Sequence, residues 1–306
     1  MSVRSDPRFA VETEAFLELL GPRDEPVSLD DLVASRTAPR NPALFGTAPP
    51  IAIREDLVLD LPGRDVRARL YRDDAETPAP LLLWLHGGGF VAGALDDVDV
   101  VCTGLAKQAR VNVVSLDYRL APEHPFPAGL DDTYDAIAWL HTHKARLGGD
   151  GEVLAGGQSA GANLVAAACL RARDEGGPRV ARQLLCYPSV GMHRDTASQR
   201  LFDGVVLNSK HSHWFDELYL AGQEVTPYVA PLQAPSHADL PRALVIGAGR
   251  DPLRDDARDY AKALENAGVE TEYVEYADTP HAFLQFAGML PTAVRAAIGD
   301  LSVYLP

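Results

Sequence analysis

The chain has 306 residues, 46% of them apolar, which is enough for one large domain or two ordinary ones with a substantial core. With 43 acidic against 28 basic residues its formal charge is −15, a balance that repels phosphate backbones and argues against nucleic acid as a partner. No apolar run reaches membrane-spanning length, and the polar opening MSVRSDPRFAVETEAF has no apolar signal core, so the expectation is a soluble, cytoplasmic protein without a membrane partner.

The first fifty residues combine an amphipathic helix pattern, RFAVETEAFLELL, with a Pro/Ala-rich stretch, RTAPRNPALFGTAPP. IAIREDLVLD and DVRARLYR then alternate apolar and polar residues, as a strand pair does. From LLLWLH onward the rhythm changes. Short apolar runs (LLLWLH, NVVSLDY, EVLAGG, RQLLCYP, ALVIGAG, ETEYVEY) alternate with helix patterns, ending in PTAVRAAIGDLSVYL. Near-continuous apolar strands separated by helices predict an α/β protein whose mostly parallel sheet is covered on both faces. Residues 190–225 break the rhythm and are too long for an ordinary connection, so they read as a small helical insertion. The pattern divides the chain into an N-terminal segment over 1–50, a main domain over 51–189 and 226–306, and an insertion over 190–225. Cys102, Cys169 and Cys186 are scattered and lack metal-ligand spacing; they read as reduced, buried, small apolar residues.

Three stretches carry chemistry. In GQSAG, Ser159 follows the strand pattern EVLAGG and precedes the helix pattern AGANLVAAACL. A nucleophile elbow needs that strand-turn-helix context, with small residues at Gly157 and Gly161 so that strand and helix can pass closely. A structural glycine turn with a capping serine fits the same five residues. In HGGGF, Gly88 and Gly89 offer backbone N–H groups unobstructed by side chains, and Gly87 is a further candidate. With the amide of Ala160 they would make an oxyanion hole, each donor worth about 2.7–4 kcal/mol to acyl transfer. The loop matches neither phosphate-binding glycine pattern, and His86 reads as a brace for it. A serine also needs a base. His141 and His143 fall on a solvated helix face, His211 and His213 in the insertion, and His124 and His237 in loops. His281 is the candidate, a short loop after ETEYVEY at the carboxyl edge of the sheet, where sites of open α/β sheets gather. Asp251, just after ALVIGAG, would orient it; Asp255 and Asp256 read as first-turn partners of the helix dipole. The order Ser159, Asp251, His281 is that of α/β-hydrolases.

HGGGF at 86–90, DYRLAPEHPFPA at 117–128, GQSAG at 157–161, DPLRDD at 251–256 and HAF at 281–283 occur in one order over residues 60–306. In these the chain resembles the hormone-sensitive-lipase-like (bacterial family IV) esterases of the α/β-hydrolase superfamily. The resemblance implies hydrolysis of short- to medium-chain carboxylic esters through a covalent acyl-enzyme, with no metal or organic cofactor and a small-molecule ester as the partner. It implies an N-terminal cap segment over 1–50 and a cap insertion over 190–225 on a catalytic domain of residues 51–189 and 226–306, and structural roles for Asp117, Arg119 and Glu123 around the oxyanion loop. Members of the family often pair, sometimes through a sheet-edge strand near the carboxyl end, so a homodimer is one expectation. An amide or arylacetamide deacylase, a lactonase, a dehydratase and a non-catalytic ligand-binding protein are the alternatives on the same scaffold. Many members place Asp where this chain has Gln158, and Gly where it has Ala162. Candidate pocket residues are Phe90, Trp214, Phe215 and Phe283, followed by Tyr187, Leu218 and Leu284.

Overall fold

The computed structural model describes residues 1–21, 28–192 and 194–305; residues 22–27 of the N-terminal segment, 193 of the insertion and 306 lie outside it. The chain begins with β1 (Ser2–Arg4), α1 (Pro7–Leu20), α2 (Leu29–Thr37) and α3 (Pro42–Phe45). There follow β2 (Ile53–Leu61), β3 (Arg64–Arg72), β4 (Ala79–Leu85), α4 (Asp99–Ala109), β5 (Asn112–Leu116), α5 (Ala128–Thr142), β6 (Gly149–Gln158), α6 (Ala160–Glu175) and β7 (Arg182–Cys186). The insertion holds α7 (Ala197–Phe202) and α8 (Ser209–Leu220), and β8 (Arg242–Arg250), α9 (Arg254–Asn266), β9 (Thr271–Pro280) and α10 (Pro291–Tyr304) complete the chain.

Among the described residues nine strands form one sheet, in the order β1-β9-β8-β7-β6-β4-β5-β3-β2. Only the β2–β3 and β3–β5 pairings are antiparallel. The pattern of side chains explains the layering. Leu81, Leu83 and Leu85 of β4 enter one core with Ala136 of α5, Leu164 of α6 and Tyr260 of α9. Leu82 and Trp84 point the other way, into a second core with Leu105 of α4 and Val294 of α10. A strand buried on both faces has no solvated side, which is why these runs read as continuously apolar rather than alternating. β3 has one solvated face, so Val66, Ala68 and Leu70 are buried while Arg67 lies exposed between them.

The N-terminal segment departs from the sequence expectation. β1 adds to the sheet edge in parallel with β9, Ser2 opposite Val274 and Arg4 opposite Tyr276. Arg4 also forms a two-pronged ion pair with Asp300 of α10, both bonds at 2.9 Å. α1 starts on an Asp6 cap and Pro7, and buries Phe9, Thr13 and Phe16 along one stripe against β9 and α10. These first 21 residues belong to the sheet, because the stripe of α1 finds its apolar partner there.

Two registers position the chemistry. Gln158, the last residue of β6, lies beside Cys186, the last of β7. Arg250, the last of β8, lies beside Pro280, the last of β9. Parallel strands therefore deliver residues 159, 187, 251 and 281 to one edge of the sheet.

Candidate active site

Ser159 sits in the turn between β6 and α6 with φ 53 and ψ −116, a backbone conformation that a residue with a Cβ adopts only under constraint. The constraint is visible in its neighbours. A Cβ on Gly161 would lie 2.4 Å from the His86 carbonyl oxygen and 2.5 Å from that of Leu85. One on Gly157 would lie 2.7 Å from the Gly161 backbone. Strand, turn and helix pass too closely here for any other residue. The Ser159 amide donates to the Cys186 carbonyl at 2.9 Å, anchoring the turn to β7.

The Ser159 hydroxyl lies 2.9 Å from His281 Nε2, and His281 Nδ1 lies 2.8 Å from Asp251 Oδ2. Because a carboxylate only accepts, Nδ1 carries the proton and Nε2 is left to accept from the serine. All three groups are buried, Asp251 completely. Its second oxygen accepts from the Leu253 amide at 2.8 Å, which fixes the carboxylate plane. β9 runs on to Pro280, so His281 follows the strand directly and not after the short loop the sequence suggested. A register irregularity between Ala248 and Arg250 accommodates the extra length.

The glycine loop lies against this turn. A Cβ on Gly87 would stand 3.4 Å from the Ser159 Cβ. Gly88 has φ +126, and a Cβ there would strike the Ala92 carbonyl at 2.1 Å. Its own carbonyl is turned back to accept from Val91 and Ala92. Among the described residues nothing accepts from the amides of Gly88 and Gly89. Ala160, first residue of α6, likewise has no intrahelical acceptor for its N–H. His86 is fully buried, and that burial lowers its pKa, so the ring is neutral; Nδ1 donates to the Gly87 carbonyl at 2.7 Å. Tyr118 stacks on His86 at 4.4 Å and donates to its carbonyl. Arg36 of α2 binds the carbonyls of Val91 and Ala121 and pairs with Glu123. Arg119 pairs with the fully buried Asp132. Thus Arg36, held by Glu123, and Tyr118 brace the glycine loop from outside, while Arg119 fastens the 117–123 segment to α5.

A family model described as alpha/beta hydrolase fold matches residues 82–285. The carboxylic ester hydrolase LipN of Mycobacterium tuberculosis is 40% identical over 290 residues, covering 90% of this chain and 77% of the relative. The esterase LipI of the same organism is 39% identical, covering 79% of this chain and 78% of the relative. A solved Pyrobaculum calidifontis esterase superposes with a TM-score of 0.80 at 38% identity, covering 84% of this chain and 85% of that one. The chain belongs to the hormone-sensitive-lipase-like branch of the α/β-hydrolases.

In this hydrolase a cavity of about 660 Å³ opens beside Ser159 and His281. Phe90, Tyr187 and Phe215 line it. Phe215 reaches down from α8 onto Gly89, where a Cβ would lie 2.5 Å from its ring. Four expected pocket residues do not reach the cavity. Phe283 is fully buried beneath it, packed between Tyr187 and Tyr276 at 5.5 and 5.3 Å. Trp214 turns aside, packing on Phe215 at 5.6 Å and against the first core. Leu218 and Leu284 also pack into the cores.

The lining also has a polar part, supplied by the insertion and α9. Arg194 bridges Asp256 and Asp259, both at 2.6 Å. Asp256 is almost completely buried, and burial lifts its pKa to about 6. It stands in the first turn of α9, as expected, but also forms part of the cavity wall. Burial lifts Asp216 of α8 to about 7. Sequence reasoning missed this wall, because Arg194 and Asp256 lie 62 residues apart and only the fold brings them together. Of the other histidines, His213 of α8 also lines the cavity. His141 bonds the Arg179 carbonyl, His143 stacks on Trp139 where a solvated face was expected, and buried His237 bonds the Pro231 carbonyl.

Proposed function

We propose that this α/β-hydrolase cleaves short- to medium-chain carboxylic esters, with Ser159 as nucleophile, His281 as general base and acid, and Asp251 as the group that orients the imidazole. The unbroken line of hydrogen bonds from Ser159 through His281 to Asp251, ending in a cavity beside the glycine loop, carries this reading. Nε2 takes the hydroxyl proton as Oγ attacks the ester carbonyl. Asp251 keeps the proton on Nδ1 and stabilises the imidazolium that forms. The amides of Gly88, Gly89 and Ala160, with Gly87 nearby, receive the negative oxygen of the tetrahedral intermediate. The alcohol leaves with the proton from Nε2. Water, activated by the same nitrogen, then releases the acid and restores Ser159.

The names of the relatives support ester over amide cleavage, and the cavity volume suits a small ester. Residues 190–225 act as the cap in this reading, since α8 seats Phe215 on the oxyanion loop. Pairing of two copies at the β9 end would have to run through β1, which covers the outer edge of β9. No described helix is long and apolar enough to cross a membrane, and three buried free cysteines suit a reducing cytoplasm.

Labelling with a fluorophosphonate probe, alongside hydrolysis of a short-chain nitrophenyl ester, tests the assignment. The wild type is expected to label and turn over, and Ser159→Ala to do neither. Ordinary turnover by Ser159→Ala would sink the reading.

A further inference from the structure

Gln158, immediately before the proposed nucleophile, is 1% exposed. Its Oε1 accepts from the Tyr187 hydroxyl at 2.9 Å, while its Nε2 has no partner among the described residues. Tyr187 is the residue that β7 delivers between the strand carrying Ser159 and the two carrying Asp251 and His281. It holds φ +38, an uncommon backbone for an aromatic residue, with its amide bonded to the Ile246 carbonyl. Its ring meets the His281 imidazole edge-on, centroids 5.1 Å apart at 67°. A buried amide N–H₂ without a partner and a strained tyrosine are both local costs to the fold, and they occur at one contact. Such coincidences mark sites where function constrains the sequence.

We propose that Gln158 and Tyr187 form a positioning pair for His281, and that the neutrality of Gln158 sets the pH below which the hydrolase loses activity. The inference rests on the proposed triad. The Gln158–Tyr187 bond ties the end of β6 to the ring that abuts the base, so nucleophile and base are held at a fixed separation. Asp251 bonds Nδ1, Asp256 of α9 is held by Arg194, and the remaining ionisable groups of the cavity lining are Asp195, Arg200, Asp203, His213 and Asp216 of the insertion. Burial pushes the Tyr187 phenol well up, so it stays neutral. A carboxylate at 158 would accept the same hydrogen bond but would place a second negative charge near the imidazole, raising the pH at which it loses its proton.

Gln158→Glu, Gln158→Met and Tyr187→Phe test this by two readouts. One is the pH dependence of kcat/KM on a short-chain nitrophenyl ester. The other is an NMR titration of the His281 ring nitrogens, which needs no turnover. Gln158→Met and Tyr187→Phe are expected to lower kcat about tenfold with little change in KM, as displaced catalytic groups do. Gln158→Glu is expected to recover most of kcat at alkaline pH and to move both the acid limb and the imidazole titration up by about half a pH unit. Wild-type kcat in Gln158→Met, or an unmoved imidazole titration in Gln158→Glu, would overturn the proposal. Should Tyr187→Phe fail to fold, Gln158→Glu still decides, because it keeps both volume and hydrogen bond. If the wild type cleaves no ester, the triad assignment fails on the fluorophosphonate test, while the NMR titration still judges the positioning pair.

Discussion

At the scale of single residues, the site depends on what is absent as much as on what is present. Gly161 has no room for a methyl group between α6 and the carbonyls of Leu85 and His86. Gly161→Ala is expected to cost about 1–3 kcal/mol of stability by forcing the two apart. Denaturant midpoints would measure it, and an unchanged midpoint would show that the elbow can open. Asp251→Asn keeps the shape but offers an amide to Nδ1, stabilising the wrong tautomer. A fall in kcat of about 10⁴-fold is expected, with fluorophosphonate labelling slowed in parallel. Ser159, Asp251 and His281 were legible in the sequence because each follows a recognisable strand, and strand ends of a parallel sheet converge. The pocket was less legible. Phe90 and Phe215 reach it, whereas Trp214 and Phe283 are the same kind of residue turned toward other neighbours. Composition does not encode which way a ring points. Tyr187 could be suspected of lining the pocket, but its bond to Gln158 required knowing that β7 lies between β6 and β8.

At the scale of elements, the buried strands and their helices were readable from apolar runs and helical periodicity, and the insertion from its length. β1 was not readable: three exposed residues form a strand only because β9 offers an unpaired edge. The end of β9 was missed because Ala277 to Pro280 have weak strand composition, and the ladder to β8 resumes only at Pro280 after an irregularity. The cap helix α8 carries its own pH dependence. Asp216 has a pKa of about 7 in the fold, raised by burial from an ordinary value of 3.8. Across that window the folded chain binds more protons than the unfolded one, so ionisation of Asp216 drains stability as pH rises from about 4 to 7. Asp216→Asn removes the drain. Its melting temperature relative to wild type is expected to be higher at pH 8 than at pH 4. An offset equal at both pH values would show that Asp216 does not titrate in this range.

At the scale of the whole molecule, a net charge of −15 is expected to give the surface a negative mean field. That field slows the approach of anionic esters and leaves neutral ones unaffected. Raising ionic strength from about 0.01 to 0.3 M shortens the Debye length well below molecular dimensions. kcat/KM for a carboxylate-bearing ester is therefore expected to rise several-fold over that range, with a neutral ester of equal size flat. Equal salt responses would mean that the polar wall, not the overall field, governs access. The sheet edge has a consequence of another kind. Ser2 and Val274 lie far apart in sequence yet side by side in the sheet, so β1 can dock only after β9 has been made. The lock of Arg4 on Asp300 waits for α10 as well. Until β1 docks, the outer edge of β9 is an unpaired strand edge open to a second chain.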